Sequence, residues 1–176
     1  MRALLLTLLL ASCAPHAAPT TSASAAPIGL ATALESDDHP TDTELPDRVM
    51  EALSAALTAH DLRPVTLSAM PAAFAEAPST PARLKLAATD APQDLLLLVE
   101  AHPSFYAQVA GRFRWTVDVT VTLARKDDLA NAHTVSWSLP VFLQFSHQRE
   151  ADALSEAAPL LHRRLNAELD AWSATR

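Results

Sequence analysis

The chain of 176 residues is poor in glycine and cysteine, and each shortage narrows what it can do. Its two glycines, Gly29 and Gly111, are too few for a glycine-rich loop that brings the backbone close to a phosphate. The single cysteine, Cys13, excludes an intrachain disulfide and a cysteine-based zinc site. No Gly-x-Ser-x-Gly nucleophile motif occurs either. We therefore expect neither an enzymatic activity nor a cofactor.

The chain also lacks a surplus of basic residues. It has 13 Lys and Arg residues and 20 Asp and Glu residues, which give a formal net charge of −7. Proteins that bind nucleic acid present a basic face, so nucleic acid is not an expected partner. Five of the acids lie before Leu45, and from Leu45 onward 12 basic and 15 acidic residues leave a net charge of −3. The acidic excess is therefore concentrated towards the N-terminus.

Seven histidines invite the hypothesis of a metal site, and their spacing argues against it. No two lie four residues apart, the spacing that places two imidazoles on one face of a helix. Only His102, His133 and His147 could meet, at the ends of predicted strands, and the predicted strand pairing does not require it. No metal site is predicted.

The first thirteen residues carry the one motif whose chemistry can be named. A basic start precedes a short apolar run at residues 3–10, and small residues follow, an arrangement typical of a secretory signal peptide. The run is about half of the roughly 20 apolar residues that a membrane-spanning helix requires. Leu10-Ala11-Ser12-Cys13 resembles the lipobox of bacterial lipoproteins at all four positions.

The resemblance implies that residues 1–12 are removed and that Cys13 becomes a lipid-bearing N-terminus. Each buried CH₂ contributes about 0.8 kcal/mol, so two or more acyl chains hold a protein stably at a membrane. In lipoproteins of double-membrane bacteria, an Asp directly after this Cys tends to retain the protein at the inner membrane. Ala14 stands there, so the resemblance favours the outer membrane, with the domain facing the periplasm. The alternative is an ordinary cleaved signal that leaves a free thiol.

The residues after the signal peptide are rich in Ala, Pro, Thr and Ser and then become acidic. This composition, without sustained apolar periodicity, is typical of a disordered linker. The chain is therefore predicted to consist of a signal peptide at 1–12, a lipid-anchored linker at 13–44 and a single domain at 45–176. An apolar patch from Ile28 to Leu34 could instead dock on the domain.

Two long helices and one short helix are predicted in the domain. Apolar residues recur at three-to-four spacing over about 46–60 and about 149–172. Pro159 lies inside the second of these helices and is expected to kink or restart it. A short helix is predicted at about 79–88, where a proline follows Ser79-Thr80.

Four strands are predicted. The clearest are two runs of strict alternation, residues 112–123 and 135–145, in which every odd residue is apolar and faces the core. Residues 94–100 have an acid at each end and five consecutive apolar residues between them. Such a run places apolar side chains on both faces of a strand, which is typical of an inner strand covered on each side. Residues 65–67 form a short strand candidate after a proline.

The two alternating strands are expected to pair with Trp115 opposite Leu143, with the parity of the register fixed by burial of the odd residues. Pro140 lacks a backbone donor, so its strand is predicted at a sheet edge. The strand at 65–67 is expected to join the strand at 94–100 in parallel through a right-handed crossover. The predicted fold is α+β, a two-layer sandwich with a mainly antiparallel sheet of about four strands and the two long helices on one face.

This order of elements is similar to that of the periplasmic α/β domains of envelope-assembly lipoproteins of the Tol type or the curli-secretion type. The similarity covers about residues 45–172. No motif residue accompanies it, so the resemblance implies a fold and a compartment but no site.

The sheet face away from the long helices is the predicted partner surface. Phe142 points to this face, and Tyr106, Arg112 and Arg114 could border it. An exposed apolar patch with an arginine rim indicates a partner site. The alternative is that the segment containing Phe74 covers the patch. The edge strand also offers β-augmentation, by a partner or by a second copy.

Together these features predict a non-catalytic, lipid-anchored outer-membrane lipoprotein whose periplasmic domain binds or scaffolds another envelope protein. The alternative from a different class is a lipid-anchored carrier of a small apolar ligand, held between the sheet and the helices. An unrecognised hydrolase is a third hypothesis, and it would need a cluster of titratable residues in a deep cleft.

Overall fold

The computed structural model describes residues 25–37, 39–67, 70 and 72–174. The predicted signal peptide, the lipobox with Cys13 and the start of the predicted linker lie outside these residues. Within them, no helix is long and apolar enough to cross a membrane. The elements in chain order are β1 (Ala26–Leu34), α1 (Asp47–Ala59), β2 (Leu62–Thr66), α2 (Ala72–Ala75), α3 (Thr80–Asp90), β3 (Leu95–Val109), β4 (Arg112–Arg125), β5 (Asp128–Leu143) and α4 (Glu150–Ala174).

The five strands form one mixed sheet in the order β2-β1-β3-β4-β5. β1 is parallel to both β2 and β3, and β3, β4 and β5 form an antiparallel meander. The helices α1 and α4 pack on one face, here called the inner face, and α2 and α3 pack on the opposite, outer face. The α+β class is confirmed. The sheet has five strands rather than four, and the two shorter helices add cover that the two-layer prediction left out.

Strand β1 is the largest departure from the predicted organisation. The sequence predicts a linker over residues 13–44, but Ala26–Leu34 lie between β2 and β3, so the domain begins near residue 26 rather than at 45. Leu30 is buried on the inner face and Ala31 on the outer face. Alanine and glycine are depleted in strands, so the sequence of β1 gives a weak signal, and pairing on both of its sides stabilises it instead. The apolar patch from Ile28 to Leu34 therefore joins the domain, as a strand of the sheet.

The predicted pairing of β4 with β5 assigns each side chain to the correct face of the sheet, but its register is wrong by two residues. Trp115 lies opposite Val141 rather than Leu143. The odd residues of β4 from Trp115 to Leu123 are buried against the inner helices, as the alternation predicted. A shift of two residues leaves every side chain on the same face, so the hydrophobic pattern cannot distinguish the two registers. The strand that contains Pro140, β5, is an edge strand as predicted.

Helix α4 continues through Pro159 as a single element and does not restart there. A proline in a helix interior removes a backbone hydrogen bond, which costs about 3 kcal/mol. The buried residues Leu154, Leu161 and Leu165 hold the helix on the sheet on both sides of the proline. Their burial explains why the helix persists, because most helical stability in proteins comes from tertiary packing.

Candidate functional site

Strands β3, β4 and β5 continue beyond the rest of the sheet. β1 last pairs with β3 at Leu34 and Ala101, whereas β3 runs on to Val109. The further eight residues, at about 3.4 Å each, carry the ribbon roughly 27 Å past the end of β1. The β3–β4 hairpin therefore projects from the domain. The structure thus extends the strand predicted at 94–100 to Val109.

The exposed large apolar side chains gather on this projection. All five that the described part of the chain exposes lie there, with 44% to 66% of their surface accessible. Single exposed apolar residues are ordinary, whereas a contiguous group indicates an interaction surface. We call residues 105–115 together with Phe142 and Phe145 the aromatic tip. The five exposed residues are Phe105, Tyr106, Val109, Phe142 and Phe145.

A β-bulge decides where the side chains of the aromatic tip point. Phe105 lies opposite Trp115, but Ala107 lies opposite Arg114, so Tyr106 is the extra residue. A bulge re-aims the side chains of its strand. Phe105 stays beside Trp115 on the inner face, with ring centroids 5.7 Å apart, while Tyr106 reaches Arg114 on the outer face. Both faces of the projecting ribbon therefore carry exposed aromatic rings.

The four residues predicted as a partner surface come together on the outer face of the aromatic tip. Phe142 lies opposite Arg114 across the β4–β5 pair. The Arg114 guanidinium stacks on Tyr106, with its Cζ atom 4.6 Å from the ring centroid. Arg112 lies two residues further, opposite Val109. The Nε atom of Arg114 is buried and has no hydrogen-bond partner among the described residues, so this guanidinium retains an unused donor.

The aromatic tip is basic in an acidic protein. Residues 101–117 and 129–149 contain neither Asp nor Glu. Among the described residues, Arg112 and Arg114 take part in no ion pair. This end of the sheet therefore combines exposed rings with two cations that have no carboxylate partner among the described residues.

The other half of the outer face is covered. Leu96 and Leu98 are buried beneath α2 and α3, and Phe74 of α2 is fully buried in the same cluster. The alternative in which the segment around Phe74 covers the sheet therefore holds for β1 and for the first half of β3. Only the projecting half keeps its apolar side chains exposed.

A cluster of charged groups beside α3 was not found from the sequence. Arg83 donates hydrogen bonds to Glu35 and, at 2.7 Å, to Glu100, and Thr80 Oγ1 donates to Glu100 at 2.5 Å. Arg83 and Glu100 are both buried. Burial by itself would lower the pKa of Arg83, but the hydrogen bonds and charges of Glu35 and Glu100 outweigh it and raise that pKa. The cluster ties α3 to β3 and to the residue that follows β1.

A cavity of about 300 Å³ opens beside this cluster. His102 lines it and contacts Glu35 at 3.9 Å and Asp37 at 3.4 Å. Within the described ranges, no three His, Cys, Asp or Glu side chains are arranged to hold a metal ion. The carboxylates of Glu35 and Glu100 are occupied by Arg83 and Thr80, so this arrangement links α3 to β3 and to the residue that follows β1.

The three histidines that could have met at strand ends have separate partners. His102 contacts the carboxylates beside β1, and His133 lies 2.6 Å from Glu168 of α4. His147 stacks on Phe145, with ring centroids 5.5 Å apart. The structure therefore places these imidazoles at three different positions.

The interface between the sheet and α4 leaves little room for a ligand. The cavity there, lined by Leu97, Val121 and Leu165 among others, measures about 10 Å³, roughly one water probe. Pockets that bind small molecules measure about 300–1,000 Å³. The hypothesis of a carrier for a small apolar ligand finds no support at this interface.

Comparisons with known proteins find similarity in structure but not in sequence. No protein-family model and no curated protein matches the chain. Lipoprotein GNA1162 from Neisseria meningitidis is 16% identical over 80% of this chain and 97% of that one, with a TM-score of 0.44. The hypothetical protein CT253 from Chlamydia trachomatis is 16% identical over 84% and 95%, with a TM-score of 0.46. A minor lipoprotein from Acinetobacter baumannii is 12% identical over 82% and 92%, with a TM-score of 0.35. Similarity at this level assigns neither a family nor an activity.

Proposed function

We propose that this chain is a lipid-anchored envelope protein that faces the periplasm from the outer membrane and binds another envelope protein through its aromatic tip. The observation that carries the proposal is that all five large apolar residues exposed in the described part of the chain lie at one acid-free end of the sheet. Burying such surface contributes roughly 25 cal/mol per Å². The role is one of binding and scaffolding rather than catalysis.

The lipobox supports a lipid anchor at Cys13. The sheet topology supports a position of that anchor at the end of the domain opposite to the aromatic tip. Twelve residues, 14–25, separate Cys13 from β1, and twelve residues span at most about 40 Å. β1 runs parallel to β3 and enters the sheet beside Leu95, at the end opposite to the aromatic tip. The tether and the tip therefore lie at opposite ends of the domain, which leaves the tip accessible to a partner that stands away from the membrane.

Strand β5 provides a second surface for the same partner. It is a 16-residue edge strand, and the backbone edge that faces away from β4 pairs with no other strand of the described chain. An extended segment of a partner can add to such an edge through main-chain hydrogen bonds. The edge runs into the aromatic tip at Phe142, so the two surfaces are continuous.

Substitution of the aromatic tip tests the binding role. We expect Phe142→Asp combined with Tyr106→Ser to lower recovery of the envelope partner at least about tenfold, since central aromatic residues dominate interface energies. The measurement is affinity purification of the full chain from solubilised membranes, followed by quantitative mass spectrometry. The matched control is Glu156→Gln, an exposed position on α4. An unchanged set of recovered proteins would contradict the proposal.

Substitution of Cys13 tests the anchor. We expect Cys13→Ser to move the chain from the membrane fraction to the soluble fraction, because the acyl chains attach through the cysteine sulfur. Ala14→Asp is the companion change, and it should move the chain from the outer to the inner membrane in a density gradient. Retention of the Cys13→Ser chain in the outer membrane would show that another feature holds it there.

A further inference from the structure

Strand β5 is a long edge that carries almost none of the charge by which proteins keep a sheet edge unpaired. Exposed edges are usually blunted by short length, charged side chains, prolines or bulges. β5 has 16 residues, and residues 129–148 contain no Asp, Glu, Lys or Arg. Its pairing with β4 is irregular before His133, and Pro140 follows Leu139. Between these two points, residues 133–139 form a regular, uncharged edge.

The pairing of the sheet identifies which backbone groups of this edge face away from β4. The N–H of Glu35, which follows β1, donates to the carbonyl of Ala101, so the odd residues of β3 face β1 here. Backbone groups alternate in direction along a strand, so the even residues of β3 face β4. Paired residues have the same parity from β3 to β4 and from β4 to β5, so the odd residues of β5 face β4. The N–H and C=O groups of Thr134, Ser136 and Ser138 therefore point outward.

The side chains along the same stretch indicate what an added strand should carry. On the inner face, Val135 and Trp137 pack on the core but are only partly buried. On the outer face, the hydroxyl groups of Thr134 and Ser136 already form hydrogen bonds with threonines of β4, at 3.0 and 2.9 Å. Aromatic and β-branched residues stabilise a sheet through cross-strand pairs. An added strand therefore gains most from apolar residues on the inner face, and the stretch offers no charge for it to neutralise.

We propose that the envelope protein that binds the aromatic tip also adds an uncharged strand to residues 133–139 of β5, with apolar side chains against Val135 and Trp137. This inference rests on the proposed binding role of the tip and names the chemistry of the segment that the partner contributes. Main-chain hydrogen bonds to the even residues provide affinity, and the alternate side chains provide specificity. The stretch leads along β5 to Phe142, so one partner contacts both surfaces.

A second copy of this chain fits the edge less well than a different protein does. Two β5 edges related by a two-fold axis run antiparallel, so their aromatic tips point in opposite directions. The two tethers then leave the joined sheet at opposite ends, because β1 enters the sheet at the end opposite to the tip. A tether at the membrane and a tip away from it can hold for only one of the two copies. The added strand is therefore assigned to a different protein.

Proline substitution at an outward position tests the added strand. The probe is the tip-dependent partner, defined as the protein recovered from solubilised membranes with the natural full chain and lost with Phe142→Asp combined with Tyr106→Ser. We expect Ser136→Pro to lower its recovery at least about tenfold, because the outward N–H is lost while the ladder to β4 stays intact. Pro140, at another even position of β5, shows that the strand accepts a proline there.

The matched control is Ser136→Ala, which loses the same hydroxyl group but keeps the backbone N–H. It should retain at least half of the recovery. Equal recovery with Ser136→Pro and Ser136→Ala would overturn the added strand and leave the role of the tip intact. A Phe142→Asp and Tyr106→Ser chain that recovers the same proteins as the natural chain would instead contradict the binding role of the tip itself.

Amide hydrogen exchange on the natural chain gives a second measurement that needs no edge variant. In the purified chain alone, the amides of Thr134, Ser136 and Ser138 should exchange at least about tenfold faster than those of Val135 and Trp137, which face β4. In the complex recovered by affinity purification, the three even amides should slow at least about tenfold. Unchanged exchange in the complex would overturn the proposal. Protection that appears in the purified chain alone as its concentration rises would place a second copy at the edge and overturn it as well.

Discussion

Arg83 is a buried cation that joins separate parts of the fold. It is buried between Glu100 of β3 and Glu35, which lies 48 residues away in the chain. The sequence predicted the helix that contains it but gave no sign that its side chain turns towards the sheet. A buried ion pair depends on partners from separate elements, and no local pattern records their meeting.

Replacing Arg83 tests the contribution of this cluster. We expect Arg83→Met to lower the free energy of unfolding by about 3–5 kcal/mol, because the buried carboxylate of Glu100 loses its cation. Arg83→Lys should lose less, and Arg163→Met, at an exposed position of α4, should lose little. Denaturant unfolding provides the measurement. A loss equal to that of Arg163→Met would contradict the account.

The pH dependence of this contribution follows from the raised pKa of Arg83. A cation whose folded-state pKa exceeds its unfolded value contributes stability that is fully present below the unfolded value. That contribution is lost only as the pH rises through the folded pKa, in strong alkali. Titration of Arg83 should therefore add no pH dependence to the free energy of unfolding of the natural chain across the neutral range, which denaturant unfolding at several pH values measures.

At the scale of elements, the strands that expose one face were predictable, whereas β1, the parallel strand between β2 and β3, was not. Strict alternation located β4 and most of β5, because one of their faces is buried and the other is wet. β1 is buried on both faces, with Ile28 and Leu30 on the inner face and small residues such as Ala31 and Ala33 on the outer face. It therefore has no alternation of polar and apolar residues, and its content of Ala, Pro and Thr resembles that of the residues before it. Its position depends on pairing with β2 and β3, which lie far along the chain. Long-range pairing of this kind is not encoded in local propensity.

Truncating a core residue of β1 tests its membership of the sheet. We expect Leu30→Ala to lower the free energy of unfolding by about 2–5 kcal/mol, since the side chain is fully buried in the core. Pro27→Ala, at an exposed position of the same strand, is the matched control. If residues 26–34 were a linker, the two variants would unfold at the same denaturant concentration.

Replacement of Pro159 in α4 is expected to stabilise the protein, unlike the two substitutions above. Pro159 lies in its interior with the ring exposed, so no packing holds the proline in place. Alanine is favoured over proline in a helix interior by about 3 kcal/mol. We expect Pro159→Ala to raise the free energy of unfolding by up to that amount and to raise the melting temperature. A lower melting temperature would mean that the proline serves a local structure that the helix assignment misses.

At the scale of the whole molecule, the partner surface was predictable only on one face of the sheet. Parity placed Phe142, Arg112 and Arg114 on the outer face, and the structure adds Phe105 and Phe145. The exposure of these additional residues depends on how far the hairpin projects beyond β1, and the sequence pattern predicts no strand at β1 from which that length could be judged. The acid-free stretches 101–117 and 129–149 were a usable signal, since residues 101–117 form the end of the β3–β4 hairpin and residues 139–143 pair with 113–117, which makes an end without carboxylates.

The most direct test of the central claim is photo-crosslinking from the aromatic tip in the native envelope. A photoreactive amino acid replaces Phe105, Tyr106 or Phe142 in the full chain, and the control positions are Glu156 and Ala171, both exposed on α4. We predict protein adducts, to a second copy or to another envelope protein, at least tenfold more abundant from each tip position than from either control. Equal yields from tip and control positions would contradict the assignment of the aromatic tip as the binding surface.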